Sequence, residues 1–275
     1  MDWVVNTTAT NWAFVEHEYT VNTSLVIRGG ISSQMFLYDK WDRRTTSIDP
    51  SLDVQWTVRK YRITAGASRV SRFPTLQQLF SSMGNPELKS EIAYKGEIGV
   101  SRRYAGVLDL SATAFASHLR NLIDHAGMMM VFYTIDKATM TGAEFRGAYL
   151  LPQGDISTAL SLLDARDGDG NELNYRPAWT LDTRFSYRVL REIEVYVSSW
   201  AVGERWAQSY NRYVDAFHTE DIGMMLFGTR AVAVSLNVYN IFDRNYQEEY
   251  GFPMPGRTIA VGMDWQRSRS ACSVW

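Results

Sequence analysis

The residues best equipped for chemistry fall into a few groups, and each has a plainer reading beside it. Asp167-Gly-Asp-Gly-Asn-Glu172 places oxygen ligands at alternate positions, as a calcium loop does. Such a loop needs Gly after the third ligand and a Glu further on. Here Glu172 stands in the Gly place and the flanks alternate like strands, so the segment reads as an acidic, glycine-rich surface turn. His118, His125 and the run Met128-Met-Met130 suggest soft-metal capture, because thioethers favour Cu(I). The histidines have no fixed mutual geometry, however, and a methionine-rich run more often packs against apolar neighbours. Glu144 and Arg146 share one face of their strand, as do Asp182 and Arg184. Carboxylates so placed could move protons, but no nucleophile, base and orienting group assemble around them. Charged lining of a polar interior explains them better. No catalytic residue, cofactor or metal ligand is assigned, and no enzyme activity is implied.

The elements that must carry these residues follow from periodicity. Val232, Val234, Leu236 and Val238 alternate with Ala233, Ser235, Asn237 and Tyr239, and Ile259, Val261, Met263 and Trp265 alternate with Thr258, Ala260, Gly262 and Asp264. Period two reads as strand with one apolar face. The same pattern predicts strands at 11–19, 24–34, 51–58, 62–70, 91–103, 107–118, 139–150, 156–163, 177–188, 192–203 and 213–226, about thirteen in all. Connections between them alternate short and long. The long ones are 35–48, 71–90, 121–137, 164–176, 204–212 and 240–257. Short turns on one side and long loops on the other are the signature of an outer-membrane barrel. Runs of nine to twelve residues also suit a tilted crossing, which takes ~9–11. A soluble β-sandwich is the rival, and it offers no reason for the asymmetry.

Composition is compatible with that fold. The formal charge of −2 gives no basic field to attract nucleic acid, and the single Cys272 excludes an intrachain disulfide framework and a cysteine-cluster zinc site. No uncharged apolar run approaches the ~20 residues of a membrane helix; the best, 126–135, is half that. Met-Asp-Trp-Val-Val-Asn-Thr-Thr at the start lacks the basic and apolar parts of a secretory signal. Barrel strands hide from hydropathy because lipid-facing and lumen-facing residues alternate.

Several strings then point to one family. Asn240-Ile-Phe-Asp-Arg-Asn-Tyr246 and Tyr250-Gly-Phe-Pro-Met-Pro-Gly-Arg257, set between two strands, closely resemble the carboxyl end of TonB-dependent outer-membrane receptors. Arg72-Phe-Pro-Thr-Leu-Gln-Gln-Leu-Phe80 and Gly84-Asn-Pro-Glu-Leu-Lys-Ser-Glu91 are similar to that family's "FR-x-PT-L-x-x-L" and "GNP-x-LKPE", with Ser90 where Pro is usual and Ser71-Arg72-Phe73 reordered. Gly142-Ala-Glu-Phe145 matches its "GxE-aromatic" strand start.

The resemblance implies an all-β, antiparallel, up-and-down transmembrane barrel in the bacterial outer membrane, partial relative to the family's ~22 strands and plugged lumen. Residues 1–266 would be the carboxyl-terminal barrel portion and 267–275 an atypical tail, since the family usually ends its last strand on an aromatic residue. A frameshift or altered gene end would explain that tail; a genuine short extension is the alternative. Neither the plug nor the segment that contacts TonB is recognisable, so the chain is expected to be part of a longer frame. The resemblance also implies outer-membrane lipid as surroundings, import of a ferric chelate or corrinoid, and TonB as a partner only through the absent plug. Trp41, Tyr133, Tyr210, Tyr246 and Tyr250, in or beside long connections, become candidates to contact such a ligand; Trp206 and Tyr213 read as part of an interfacial aromatic girdle. Rival functions are a barrel for adhesion or passive diffusion, and an outer-membrane hydrolase for which the four histidines supply no Ser/His/acid set.

Overall fold

The computed structural model describes residues 8–38, 43–126, 131–229 and 232–265. Along the chain come β1 (Thr8–Asn22), β2 (Leu25–Tyr38), β3 (Arg43–Val58), β4 (Tyr61–Arg72), the helix α1 (Leu76–Phe80), β5 (Glu91–Tyr104), β6 (Leu108–Ala126) and β7 (Val131–Leu151). β8 (Gly154–Asp167), β9 (Trp179–Leu190), β10 (Ile193–Val202), the short β11 (Arg205–Ala207) and β12 (Arg212–Val214), and β13 (Phe217–Thr229) follow. β14 (Val232–Tyr239), the short β15 (Gln247–Glu249) and β16 (Phe252–Pro253), and β17 (Thr258–Trp265) complete it. Thirteen of the strands form one sheet in the order β1-β2-β3-β4-β5-β6-β7-β8-β9-β10-β13-β14-β17, every pair antiparallel and joined in consecutive hairpin order. β1 and β17 are not paired with each other, so the sheet is an open arc with two free edges among the described residues.

Register fixes which side chains share a face. One lateral row runs Trp56, Ile63, Val100, Ala112, Phe145, Leu160 and Leu181 across seven strands. One residue along, the row reads Gln55, Thr64, Gly99, Thr113, Glu144, Ser161 and Thr180. The first row is apolar throughout and the second polar. Among the described residues no second sheet covers either, and no helix is long and apolar enough to cross a membrane. The last pair obeys the same rule. Val238, Leu236 and Val234 oppose Ile259, Val261 and Met263, while Asn237 and Ser235 oppose Ala260 and Gly262. Ile259, Val261 and Met263 are 67%, 74% and 71% exposed, which removes any closed core between two sheets.

The short connections carry the strain expected of tight turns. Ala105 and Gly106 both have positive φ (48° and 75°) in the three-residue connection between the facing Tyr104 and Leu108, where the Val107 amide donates to the Tyr104 carbonyl (3.0 Å). Register shifts at Thr20/Asn22, Ile193/Glu194 and Phe227/Thr229 all fall beside short turns, where a bulge re-aims the strand end.

Two long connections are shorter than the sequence suggests. The 35–48 connection is strand up to Tyr38 and again from Arg43, and the 121–137 connection is strand up to Ala126 and again from Val131. Both flanks keep pairing beyond the crossing length, so Gly142-Ala-Glu-Phe145 lies inside β7 instead of starting it. Pro253-Met-Pro-Gly256 closes the last long connection, and its prolines lack the amides that a ladder uses. Pro253 pairs with Gln247, and the Met254 amide donates to the Tyr246 carbonyl (2.9 Å), so one proline does enter a short ladder as an edge residue. Gly256 does not have positive φ; it is small because a Cβ there would sit 2.5 Å from Asp243 Oδ1, which accepts the Arg257 amide (2.7 Å).

Candidate functional site

All the long connections lie at one end of the sheet, and the upper β6–β7 hairpin is what they lean on. Asn121 takes a left-handed conformation (φ 54°), a backbone that Asn tolerates better than most residues, and sits between the facing pairs Arg120–Lys137 and Leu122–Ile135. Leu122 thereby joins Ala138, Ala165 and Leu173 in a small buried cluster, which pins the 168–178 connection. Ile123 packs with Leu79 and Leu88 of the 73–90 connection. That connection begins with α1, capped by Thr75, whose side chain accepts from the Gln78 amide while Gln78 Oε1 accepts from the Thr75 amide. Asn85 Nδ2 and the Met83 carbonyl both bond Phe132 backbone on β7.

Three further connections, 168–178, 203–216 and 240–257, interlock. The Tyr175 amide donates to the Trp206 carbonyl (2.8 Å), the Gln208 amide to Asn174 Oδ1 (3.1 Å), and the Tyr213 hydroxyl to Glu172 Oε2 (3.1 Å). From the 203–216 connection, Arg205 Nη2 donates to the Gln247 carbonyl (2.8 Å) and Arg212 Nη1 to the Tyr250 hydroxyl (2.8 Å). Tyr210 packs on Tyr250 with ring centroids 4.5 Å apart, Phe217 on Tyr246 at 4.4 Å, and the Arg205 guanidinium lies over Phe217 at 5.0 Å. Arg205 is only 5% exposed, and burial lowers its pKa against the opposing pull of Glu248. Burial likewise raises the Tyr175 and Tyr246 phenols. Asn240, left-handed and buried, holds the last connection shut: its Nδ2 donates to the Arg244 carbonyl (2.9 Å) and its Oδ1 accepts the Arg244 amide (2.9 Å).

Of the residues singled out for ligand contact, Tyr210 and Tyr250 stand together, and Tyr133 reaches the same place through its hydroxyl and Gln208 Oε1 (3.3 Å). Tyr246 sits apart from them, in a cluster with Phe217 and Trp200. Trp41 lies outside the described residues, as do Met128–Met130 and the tail 267–275. Trp206 and Tyr213 pack with ring centroids 5.1 Å apart and planes tilted by 59° on the β11–β12 hairpin, off the membrane-crossing strands. His118 and His125 do not meet: His125 lies beside Asp124 (3.6 Å) and Phe132. In the 167–172 turn, Asp167 Oδ1 accepts the Asp169 and Asn171 amides (both 2.9 Å), so this carboxylate closes the turn. Glu144 and Arg146 bond each other at 2.8 Å on the polar face, and Arg184 stacks on Tyr196 at 3.8 Å. The concavity of about 780 Å³ near the short turns is lined by Arg62, Arg103, Asp109, Arg146 and Asp182, a charged inner wall.

Sequence reading missed Arg205, Arg212, Gln208 and Asn174, which tie the tyrosines together. The available signal was the alternation of arginine and aromatic residues in Arg205-Trp-Ala-Gln-Ser-Tyr-Asn-Arg-Tyr213.

An apolar outer face, a charged inner face, hairpins of membrane-crossing length and loops gathered at one end define a transmembrane β-barrel portion. The sequence matches the TonB dependent receptor-like, beta-barrel family over residues 2–241, and the chain belongs to that family. It is similar to the vitamin B12 transporter BtuB of Vibrio cholerae serotype O1, 22% identical over 221 residues that make up 76% of this chain and 35% of the relative. Among solved structures it resembles the copper transporter OprC (TM-score 0.76, 18% identity), covering 94% of this chain and 47% of that one. The FrpB iron transporter of Neisseria meningitidis is alike too (TM-score 0.75, 16% identity, 94% and 46% covered). The chain thus spans about a third of the curated relative and under half of these structures. Its homologues are bacterial outer-membrane proteins, and that membrane is its location.

Proposed function

We propose that this chain is the carboxyl-terminal barrel portion of a receptor that imports a ferric chelate or a corrinoid across the outer membrane, without chemical change to the ligand. Tyr133, Tyr210, Tyr246 and Tyr250 contact the ligand, with Trp41 a fifth contact. Energy would come from TonB acting through a plug, for which the inner wall supplies a charged lining. The observation that supports this reading is the joining of three long connections around Tyr210 and Tyr250, with Tyr133 drawn in through Gln208. Fixed aromatic rings bind a bulky, partly apolar ligand without ordering cost at the moment of capture.

Placed in a full-length receptor, the double substitution Tyr210→Ala/Tyr250→Ala is expected to weaken equilibrium binding of ferric siderophore or cobalamin about tenfold, given that an aromatic contact contributes ~0.5–1.5 kcal/mol beyond its area. Uptake of radiolabelled ligand should need TonB. Uptake that persists at the same rate in cells without TonB would replace this reading with a passive barrel, and unchanged affinity in the double variant would remove these tyrosines from the site.

A further inference from the structure

The outward face carries an uncompensated basic pair at the loop-end rim. Arg120 and Lys137 are directly opposite each other on β6 and β7, and both are exposed. Like charges directly opposite across strands repel, so this pairing is a local cost to the sheet. Neither has a carboxylate partner among the described residues. Asp164, a carboxylate on neighbouring β8, is engaged by Arg166 (2.8 Å). Tyr94, His118, Thr139 and Arg166 form the next lateral row on the same face, and the Arg120 guanidinium lies 5.8 Å from the Tyr94 ring centre.

Height places this pair at a membrane surface. Tyr104 and Tyr94 both face outward on β5, one beside a short turn and the other ten residues up. A tilted strand crosses the hydrocarbon in ~9–11 residues, with aromatic girdles at both interfaces. Tyr94 therefore marks the outer interface, and Arg120 and Lys137 stand just above it, where lipid phosphates lie. A lipid-facing charge near an interface costs ~0–1 kcal/mol, against ~2–4 at the midplane, so the position is tolerated.

We propose that Arg120 and Lys137, flanked by Tyr94 and His118, form a site for the phosphate group of an outer-leaflet glycolipid. Arg120 supplies paired donors to phosphate oxygens, Lys137 supplies point charge, and Tyr94 packs beside the sugar or the upper acyl chain. The bound phosphate neutralises the repulsion between the two strands, so lipid and hairpin stabilise each other.

The test places this segment in a full-length receptor, purified into phosphatidylcholine nanodiscs, titrated with diphosphorylated lipid A and read by native mass spectrometry. Wild type should retain lipid A and should not retain its dephosphorylated form. Arg120→Gln/Lys137→Gln should weaken retention about thirty-fold, from the loss of two charges at an anionic surface, and Arg120→Lys should stay within several-fold of wild type. In phosphatidylcholine alone the double variant should fold at least as well as wild type by heat-modifiable mobility, because the repulsion is gone. Equal retention of the dephosphorylated lipid, full retention by the double variant, or displacement by millimolar inorganic phosphate would each overturn the proposal. So would a loss of folding in the double variant without phosphorylated lipid, since the pair would then have a partner inside the protein.

Discussion

The two faces of the sheet solve opposite solvent problems with the same strands. On the outer face the lateral row from Trp56 to Leu181 is apolar without interruption, its one side-chain donor being the Trp56 indole N–H. On the inner face charges are matched locally, as in Glu144 with Arg146 (2.8 Å), and polar groups bond across strands, as the Tyr196 hydroxyl does to Asn237 Oδ1 (2.9 Å). Outer residues need only be apolar, so their identities are interchangeable. Inner residues depend on particular partners and on close approach. A substitution's cost should therefore follow polarity on one face and geometry on the other.

The sharpest way to break that contrast is a charge in the last strand. Val261→Arg puts an arginine on the lipid face at a cost of ~2–4 kcal/mol near mid-membrane, whereas Ala260→Arg points inward and should cost little. With the segment in a full-length receptor, heat-modifiable folded barrel in outer membranes should drop sharply for the first and hold for the second. Equal yields would mean that the faces of β17 are reversed.

Gly142→Ala tests the geometric side. A Cβ there would meet the Leu162 carbonyl at 2.2 Å and Phe115 at 2.6 Å, so the strands must shift, costing ~1–3 kcal/mol by denaturant titration. Gly147→Ala, on the outer face, meets nothing closer than 3.5 Å and should be nearly silent. Tyr196→Phe comes next: it removes the bond to Asn237 but keeps the ring under Arg184, and ~1 kcal/mol should be lost. The smallest effect belongs to Arg146→Gln. Its ion pair with Glu144 is largely solvent-exposed, and the change in stability should stay below ~0.5 kcal/mol. A larger loss would show that the inner wall relies on charge more than on shape.

Most of this was legible beforehand for a physical reason. Period-two alternation is imposed by a two-sided environment, so Val232 to Val238 and Ile259 to Met263 announce both their strands and their faces. Strand ends were less legible. At 121–137 the pattern of alternation lapses because Asn121 turns the backbone, yet the ladder continues to Ala126 and Val131. The loop contacts could not be read at all. Arg205 to Gln247, Gln208 to Asn174 and Tyr213 to Glu172 join residues more than thirty positions apart, and no local rule selects such partners. Tyrosine type and loop position were enough to nominate Tyr210 and Tyr250; that they touch each other was not.

The length of the β6–β7 hairpin has one further consequence. These strands are 19 and 21 residues long, while a crossing uses about half of that. The surplus carries paired backbone roughly 20 Å beyond the outer interface, at ~3.4 Å per residue reduced by tilt. Other loops rest against its flanks, so it is a rigid mast on the cell exterior. A large particle approaching from outside would meet this ridge before the loops packed against its flanks.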